Sequence, residues 1–346
     1  MLPDLRRDVL RVAETLLIAA TGGIGFSLAG VPAGLVSGSV LAVAIAALAG
    51  RPTRVPVWLA RICFVLIGML LGAVVTPETL SGITTWPASV ALLALSALCT
   101  MVATTCYLRF VHGWDPLSAL LGASPGAMAQ VVALAAEFGA DMRGVAIVQT
   151  MRVLVITIGL PAGLALFGFA ASGVVAVPGT SSSLPELALI AVVSSLSAYL
   201  MMRLRFPGGL LFGAMAGSAL LHGIGYVHAV LPWWVGSSAV VMLGAVVGAR
   251  FANATPRMLL DYIGAAFGST AVGIAIATFF GVIVTHFLPF PVADVVIAYA
   301  PGAQDTMMVL ALALRLDPVY VGAHQLARWL VVTFAVALSA RRLAKR

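Results

Sequence analysis

The residues best suited to binding chemistry are two glutamines and two arginines at matching places in the chain. Gln149 and Arg152 lie three residues apart, and Gln325 and Arg328 repeat that spacing. Residues three apart share one face of an α-helix, so each pair presents an amide beside a guanidinium. Each pair lies in an apolar stretch, where a guanidinium cannot face lipid cheaply. We therefore expect all four side chains in the protein interior.

Two roles are open for Arg152 and Arg328. An arginine at membrane depth needs a carboxylate, free backbone carbonyls or an anionic substrate as its partner. In the functional interpretation the guanidinia hold substrate charge or gate Asp305, while Gln149 and Gln325 supply hydrogen bonds. In the structural interpretation the arginines pair with Asp305 or with carbonyl groups at a helix break.

Two such breaks are predicted where Ser-Pro-Gly at 124–126 and Ala-Pro-Gly at 300–302 interrupt apolar stretches. Non-helical backbone at membrane depth is tolerated only against protein or a hydrated cavity. A half-helix that restarts there points backbone N–H groups and its positive end into the cavity, which suits an anion. The predicted binding residues at the breaks are Ser124, Pro125, Gly126 and Gln130 in the first, and Pro301, Gly302, Gln304, Asp305 and Thr306 in the second.

The second break carries an acidic residue and the first does not, which predicts an asymmetric site. An intramembrane carboxylate is costly unless it is paired or titrates, so Asp305 is a candidate carrier of a proton or a cation. The alternative role for Asp305 is an N-terminal helix cap. His324, which adjoins Gln325 in the sequence, is a candidate member of a proton relay.

Asp141 and Asp317 are predicted to be N-caps of the last span in each half, since Pro318 is a favoured first helical residue. Arg152 and Arg328 each lie eleven residues beyond these aspartates. At about 1.5 Å per residue that distance is roughly 16 Å, near the middle of the bilayer.

Nothing in the sequence predicts a metal site, a cofactor or an enzyme. The five histidines lack the helical spacing of metal ligands, and there is no phosphate-binding loop or nucleophile elbow. These histidines are His112, His222, His228, His286 and His324.

The elements that position these residues are membrane spans. The chain of 346 residues is 62% hydrophobic and 9% charged, whereas an ordinary soluble domain has about 25% charged residues. The net charge of +7 comes from scattered arginines that form no basic face, so a lipid bilayer is expected as partner and nucleic acid is not. Ten apolar stretches long enough to span are predicted near 12–30, 33–49, 57–75, 86–108, 145–171, 185–202, 207–222, 233–249, 259–287 and 319–340.

An internal duplication relates the two halves at an offset of 175 to 176 residues. The Pro-Gly-Ala sequence at 125–127 recurs at 301–303, and the Asp, Gln and Arg described above recur with it. We predict a first repeat at 1–173, a linker at 174–184 and a second repeat at 185–346. The first span also fits a signal peptide, but its counterpart at 185–202 favours a span. Gly-x-x-x-Gly pairs are expected to allow close helix contacts at 34/38, 68/72, 159/163, 213/217, 244/248 and 264/268.

The distribution of positive charge indicates that the two repeats are inverted. If each half crosses five times and its Pro-Gly stretch returns to the same side, Arg315 is the only loop cation outside, with both termini cytoplasmic. Six spans per half would place more cations outside, namely Arg143, Arg203, Arg205, Arg250 and Arg257. Inverted repeats with interrupted helices at matching places are typical of secondary transporters, although a channel is an alternative.

Two blocks, 122–128 and 299–305, each followed by Gln and Arg in the next apolar stretch, resemble the membrane AbrB family with its duplicated domain. The resemblance covers nearly the whole chain and implies a bacterial inner-membrane protein. Members of that family carry labels of ammonia monooxygenase or of regulator of gene expression, and no catalytic residues transfer. An oxygenase needs a His and carboxylate cluster, and a transcription factor needs a soluble reading head; the sequence contains neither.

The sequence therefore predicts an all-α polytopic membrane protein of about ten transmembrane helices plus two re-entrant or broken Pro-Gly segments in two inverted repeats. The predicted function is secondary transport of a small polar or anionic solute, with protons as a further candidate partner. The runner-up is a membrane sensor that affects gene expression indirectly, and the third is the monooxygenase of the family label. A homo-oligomer is left open.

Overall fold

The computed structural model describes residues 2–75, 83–124, 131, 135, 138–169, 183–252 and 254–343. Within these ranges the regular structure is helical, with no β-strand. The α-helices are α1 Leu2–Leu28, α2 Gly34–Leu48, α3 Val57–Gly72, α4 Pro87–His112, α5 Pro116–Ala123, α6 Met142–Leu166, α7 Leu184–Arg203, α8 Gly209–Gly223, α9 Trp233–Gly248, α10 Pro256–Phe287, α11 Val292–Tyr299, α12 Gln304–Ala313 and α13 Pro318–Leu343.

Each of the ten predicted spans coincides with one of these helices, which confirms the all-α polytopic architecture. Seven helices are long and apolar enough to cross a membrane, namely α1, α4, α6, α7, α9, α10 and α13, and α2, α3 and α8 are shorter apolar helices. Large apolar side chains are exposed along several of them, such as Leu17, Leu196 and Phe334. Apolar surface of this kind faces lipid in a multi-pass membrane protein.

The helix boundaries differ from the sequence prediction where local backbone chemistry intervenes. The fifth predicted span extended to residue 171, but α6 ends at Leu166. Gly168 follows with φ of 75°, a left-handed conformation that commonly ends helices. The second predicted break is present, because α11 ends at Tyr299 and α12 begins at Gln304. At the first break α5 ends at Ala123, and the predicted site residues Pro125, Gly126 and Gln130 lie outside the described residues.

The chain divides into two compact units, and the first comprises Met1–Thr84, Pro161–Asn253 and Met308–Val319. In it, helices from the two halves pack in a reciprocal manner. A Cβ atom at Gly72 of α3 would lie 2.5 Å from the Met215 carbonyl of α8. A Cβ atom at Gly248 of α9 would lie 2.8 Å from the Val40 carbonyl of α2. These residues are equivalent under the sequence offset, so each half offers the same surface to the other, as in a two-fold interface.

Most of the predicted glycine pairs lie at close helix contacts. The pairs at 34/38, 68/72, 213/217 and 244/248 face the backbone or Cβ atoms of a neighbouring helix. The pair at 264/268 instead meets the side chains of His112 and Tyr107. For the pair at 159/163 the described residues show no such contact, because none of their atoms would lie within 4 Å of a Cβ atom at either position.

The second unit comprises Thr85–Leu160, Ala254–Met307 and Tyr320–Arg346, and it contains the predicted site. Its apolar core is built from α4, α5, the start of α6 and the middle of α13, with Leu121, Val145 and Val332 among the buried residues. Asp115 begins α5 by accepting hydrogen bonds from the backbone N–H groups of Leu117 and Ser118. This packing fixes the ends of α5 and α11, where the site lies.

Candidate functional site

The guanidinium of Arg328 holds the backbone of the second break. Its Nη1 donates to the carbonyl of Ala300, and its Nη2 donates to the carbonyl of Gly302 at 2.9 Å. The last carbonyls of a helix have no partner within it. Arg328 supplies that partner from α13, and its side chain is only 3% exposed.

Arg152 does the same at the first break. Its Nη1 donates to the carbonyl of Ala123 at 3.3 Å, and its Nη2 donates to the carbonyl of Ser124 at 3.1 Å. The side chain of Arg152 is buried as well. Of the partners considered from sequence, the structure therefore shows backbone carbonyls at the break for both arginines.

The two glutamines extend this pattern one turn back along α5 and α11. Gln149 Nε2 donates to the carbonyl of Leu121 at 2.8 Å. Gln325 Nε2 donates to the carbonyl of Ile297 at 3.3 Å, and Gln325 Oε1 also accepts from Arg328. The bonds to Leu121 and Ile297 are equivalent under the offset of 176 residues. Each half therefore binds the backbone before its own break through the same pattern of hydrogen bonds.

The site has an excess of positive charge. Ion pairs at α1 join Asp8 and Glu14 to Arg11, Arg51 and Arg54, whereas neither Arg152 nor Arg328 forms an ion pair with a described carboxylate. Two buried like charges that form no ion pair with a described carboxylate favour the entry of an anion.

Two hydrogen-bond donors are buried at the breaks. Among the described residues, Arg152 Nε and Gln304 Nε2 are buried side-chain atoms without a hydrogen-bond partner. Gln304 is the first residue of α12, directly after the second break. A buried donor without an acceptor is costly, and such atoms in a native structure commonly mark a bound ligand or water. Arg152 Nε and Gln304 Nε2 can therefore each donate a hydrogen bond to a bound ligand.

Asp305 lies in the first turn of α12 and is half-buried. Its Oδ1 accepts from the backbone N–H of Thr306 at 2.9 Å. Acidic groups at this end of a helix are stabilised by the helix dipole. The buried Thr306 hydroxyl lies 3.5 Å from the same oxygen. Asp305 is thus oriented by its own helix, three residues beyond the Gly302 carbonyl that Arg328 binds.

Asp141 and Asp317 have the contacts of helix caps. Asp141 Oδ1 accepts from the backbone N–H of Arg143 at 3.1 Å, and its Oδ2 accepts from the Tyr262 hydroxyl at 2.9 Å. Asp317 Oδ1 accepts from the backbone N–H of Val319 at 2.8 Å. These bonds satisfy N–H groups that the first turns of α6 and α13 leave without a partner.

His324 does not join the glutamine and arginine network. Its imidazole contacts Ser89 of α4 and the backbone of Tyr320, and Tyr299 also binds Ser89. Sequence analysis missed Ser89, Tyr299 and Tyr320, and the only available signal was the spacing of four residues between Tyr320 and His324. Three separate helices bring these residues together, which spacing along one helix does not reveal.

Pro301 packs against α10 at Gly273, where there is no side chain. A Cβ atom at Gly273 would lie 3.4 Å from Cγ of Pro301 and 3.5 Å from Cγ2 of Thr100. The second break therefore packs between α4 and α10. Within the described ranges, no three His, Cys, Asp or Glu side chains are grouped so that they could hold a metal ion.

Comparisons with known proteins identify the family of this chain. The sequence model of the family described as "Transition state regulatory protein AbrB" matches residues 35–344. The "Putative regulator AbrB" of Escherichia coli (strain K12) is 27% identical over 359 aligned positions that cover 99% of this chain and 97% of that protein. The "Uncharacterized protein YhjN" of Bacillus subtilis (strain 168) is 27% identical, with 94% of this chain and 91% of that protein covered. Because the family model spans nearly the whole sequence, both breaks and their buried arginines included, the chain belongs to the AbrB family.

Proposed function

We propose that this AbrB-family membrane protein is a secondary transporter of a small anion, which binds between Arg152 and Arg328 at the two helix breaks. The observation that carries the proposal is a pair of buried guanidinia that have no carboxylate partner among the described residues. Substrate sites of transporters commonly lie where interrupted helices meet near the middle of the membrane. The unpaired donors Arg152 Nε and Gln304 Nε2 supply hydrogen bonds to the same anion.

The balance of charge favours a monovalent anion. Two guanidinium charges and the carboxylate of Asp305 give this part of the second unit a net charge of one positive unit. A small carboxylate or sulfonate has oxygens that accept charge-assisted hydrogen bonds from the guanidinium N–H groups that the carbonyls do not use. Gln149 and Gln325 hold the neighbouring carbonyls, so the guanidinia are oriented before the anion arrives.

Uptake into proteoliposomes tests the function. The purified chain is expected to carry isotope-labelled glycolate, L-lactate or isethionate into vesicles, whereas vesicles without protein are not. A membrane sensor that acts through a partner would bind solute without moving it. Absence of protein-dependent uptake of all three anions would overturn the proposed function.

Replacement of Asp305 by asparagine tests the charge balance. Asparagine keeps the side-chain oxygen that accepts from the backbone N–H of Thr306, so the fold is expected to be preserved. The variant removes one negative charge from the site, and we expect its preference to shift from L-lactate toward the dianion succinate by about tenfold, or 1.4 kcal/mol. Thermal stabilisation by each salt measures the shift. Unchanged preference would show that Asp305 does not face the bound anion.

The reciprocal packing in the first unit supports two repeats related by a two-fold axis. If that axis lies in the membrane plane, the repeats are inverted. With five spans in each repeat both termini lie on one face, and the distribution of positive charge favours the cytoplasmic face of a bacterial inner membrane. Reporter tags within 174–184 and at the C-terminus are then expected on opposite faces of the membrane. Tags that report the same face would instead make the repeats parallel.

A further inference from the structure

A second buried polar cluster lies beside the second break and takes no part in holding its carbonyls. Ser89 Oγ lies 2.7 Å from the Tyr320 hydroxyl and 2.8 Å from Nε2 of His324. The Tyr299 hydroxyl donates to the backbone carbonyl of Ser89 at 2.6 Å. Ser89 and His324 are both fully buried. An imidazole is the side chain whose protonation changes most easily near neutral pH, so its surroundings here are informative.

The hydrogen bonds of His324 determine which nitrogen carries the proton. Nδ1 lies 2.8 Å from the backbone carbonyl of Tyr320. A carbonyl only accepts, so Nδ1 is the protonated nitrogen and Nε2 of the neutral ring is an acceptor. Ser89 therefore donates its hydroxyl proton to Nε2, and the Ser89 oxygen accepts from the Tyr320 hydroxyl. The three groups form one chain in which every donor is directed toward His324.

We propose that Tyr320, Ser89 and His324 form the proton path that couples anion transport to proton movement, with His324 as the proton acceptor. A proton that binds the Tyr320 oxygen releases the phenolic proton to the Ser89 oxygen, and the Ser89 hydroxyl proton passes to Nε2 of His324. At each oxygen one O–H bond forms as another breaks. Both hydroxyl groups thus remain neutral, and one positive charge arrives on the imidazole.

The entrance of this chain lies close to the protein surface. The ring of Tyr320 packs under Phe290, with ring centroids 5.1 Å apart. Phe290 belongs to the connection between α10 and α11, where Pro289 and Pro291 are exposed. Trp86 packs edge-on against Tyr320, with ring centroids 5.7 Å apart. Phe290 and Trp86 therefore cover the ring that carries the first hydroxyl of the chain, and Phe290 lies between two exposed prolines.

The far end of the chain lies next to the anion site. Arg328 follows His324 by four residues on α13 and shares its face of the helix. The titratable groups that contact His324 are the phenols of Tyr299 from α11 and Tyr320 from α13, and α4 contributes the Ser89 hydroxyl. The positive charge nearest along the helix is thus Arg328, which opposes protonation of His324.

A bound anion reverses that opposition. It cancels the charge of Arg328, so His324 accepts a proton more readily when the anion is present. By thermodynamic linkage, a proton on His324 raises the affinity for the anion by the same factor. The inference rests on the proposed anion transport and specifies its coupling as one proton carried with each monovalent anion.

The proton path exists in only one half of the duplicated chain. The positions equivalent to Tyr320, Ser89 and His324 under the offset of 176 are Gly144, Ala265 and Val148. None of these three side chains carries a polar group. Each break has its own arginine and glutamine at equivalent positions. Among the described residues, only the second break also has a chain of hydroxyl groups that leads to a histidine.

Transport driven by a proton gradient tests the path in proteoliposomes of the full chain, with glycolate, L-lactate and isethionate as probes. Isethionate is decisive because a sulfonate does not carry a proton through lipid by itself. A gradient of about one pH unit, acidic outside, is expected to drive about tenfold accumulation of an anion that moves with one proton. Exchange of labelled for unlabelled anion at equal pH is measured in parallel, since exchange needs no net proton transfer.

The variants Tyr320→Phe and His324→Gln are expected to lose accumulation and to retain exchange. Tyr299→Phe is the matched control, because it removes one hydroxyl from the same cluster without interrupting the path, and it is expected to accumulate like the wild type. If Tyr320→Phe still accumulates the probe tenfold, or if the wild type exchanges anion but ignores the gradient, the proton path is wrong and anion transport stands. If the wild type neither exchanges nor accumulates any probe, both proposals fail.

Discussion

Replacement of Arg328 by glutamine is expected to abolish anion uptake and to destabilise the protein. The variant leaves the carbonyls of Ala300 and Gly302 without their donors, and each buried acceptor without a partner costs about 1–3 kcal/mol. It also removes one of the two charges that hold the anion. Loss of one partner from a buried charge pair costs about 2–5 kcal/mol, which weakens anion binding by roughly thirtyfold or more.

Arg328→Lys separates the two effects. Lysine keeps the positive charge but lacks the planar fork that reaches two carbonyls at once. We expect this variant to recover part of the thermal stability and to bind L-lactate more weakly than the wild type. Arg152→Gln is expected to behave like Arg328→Gln, because its contacts at the first break are equivalent. Melting temperature and uptake per folded molecule are the measurements. An Arg328→Gln protein stabilised by anions as strongly as the wild type would remove the proposed site.

Replacement of Gly72 by leucine is expected to prevent stable packing of α3 on α8. A Cβ atom there would lie 2.5 Å from the carbonyl of Met215 and from Cβ of Ser218. Overpacking of this kind costs about 1–3 kcal/mol and sometimes more, and here the obstacle includes backbone, which cannot rotate away. Gly248→Leu is expected to cost a similar amount, because the carbonyl of Val40 occupies the equivalent place.

Gly159→Leu is the matched control for these variants. Gly159 lies in the middle of the apolar helix α6, and no described atom would lie within 4 Å of its Cβ. Leucine favours the helix over glycine by about 0.8 kcal/mol. The melting temperature of Gly159→Leu is therefore expected to equal or slightly exceed that of the wild type in the same detergent. Equal melting temperatures for Gly72→Leu and Gly159→Leu would contradict the close contact between α3 and α8.

The two glycine pairs show where prediction from sequence ends. Gly68 and Gly72 have the same spacing as Gly159 and Gly163, and from sequence both pairs are candidates for close helix contacts. Within the described ranges, only the first pair meets a neighbouring helix. Spacing states which residues share a face, but it does not state which face another helix covers.

The arginines show the same limit. Their depth and the need for a polar partner follow from sequence, because a charge in an apolar stretch has few alternatives. The identity of the partner does not follow from the sequence, because a carboxylate and unbonded backbone carbonyls are both suitable hydrogen-bond acceptors for a guanidinium. The structure shows carbonyls, and no described residue accepts from Arg152 Nε. That donor adds support to an anion site, which rests on the two buried guanidinia.

By itself the sequence determined the membrane character of this protein, the places of its ten apolar helices and the position of the second break. Lipid imposes these features locally, because each span must be apolar over its own length and each break needs its own proline and glycine. Only the tertiary structure decided which carbonyls the arginines bind, and that Ser89, Tyr320 and His324 meet. Those contacts join helices far apart in the chain, and they depend on which helices become neighbours when their apolar faces pack.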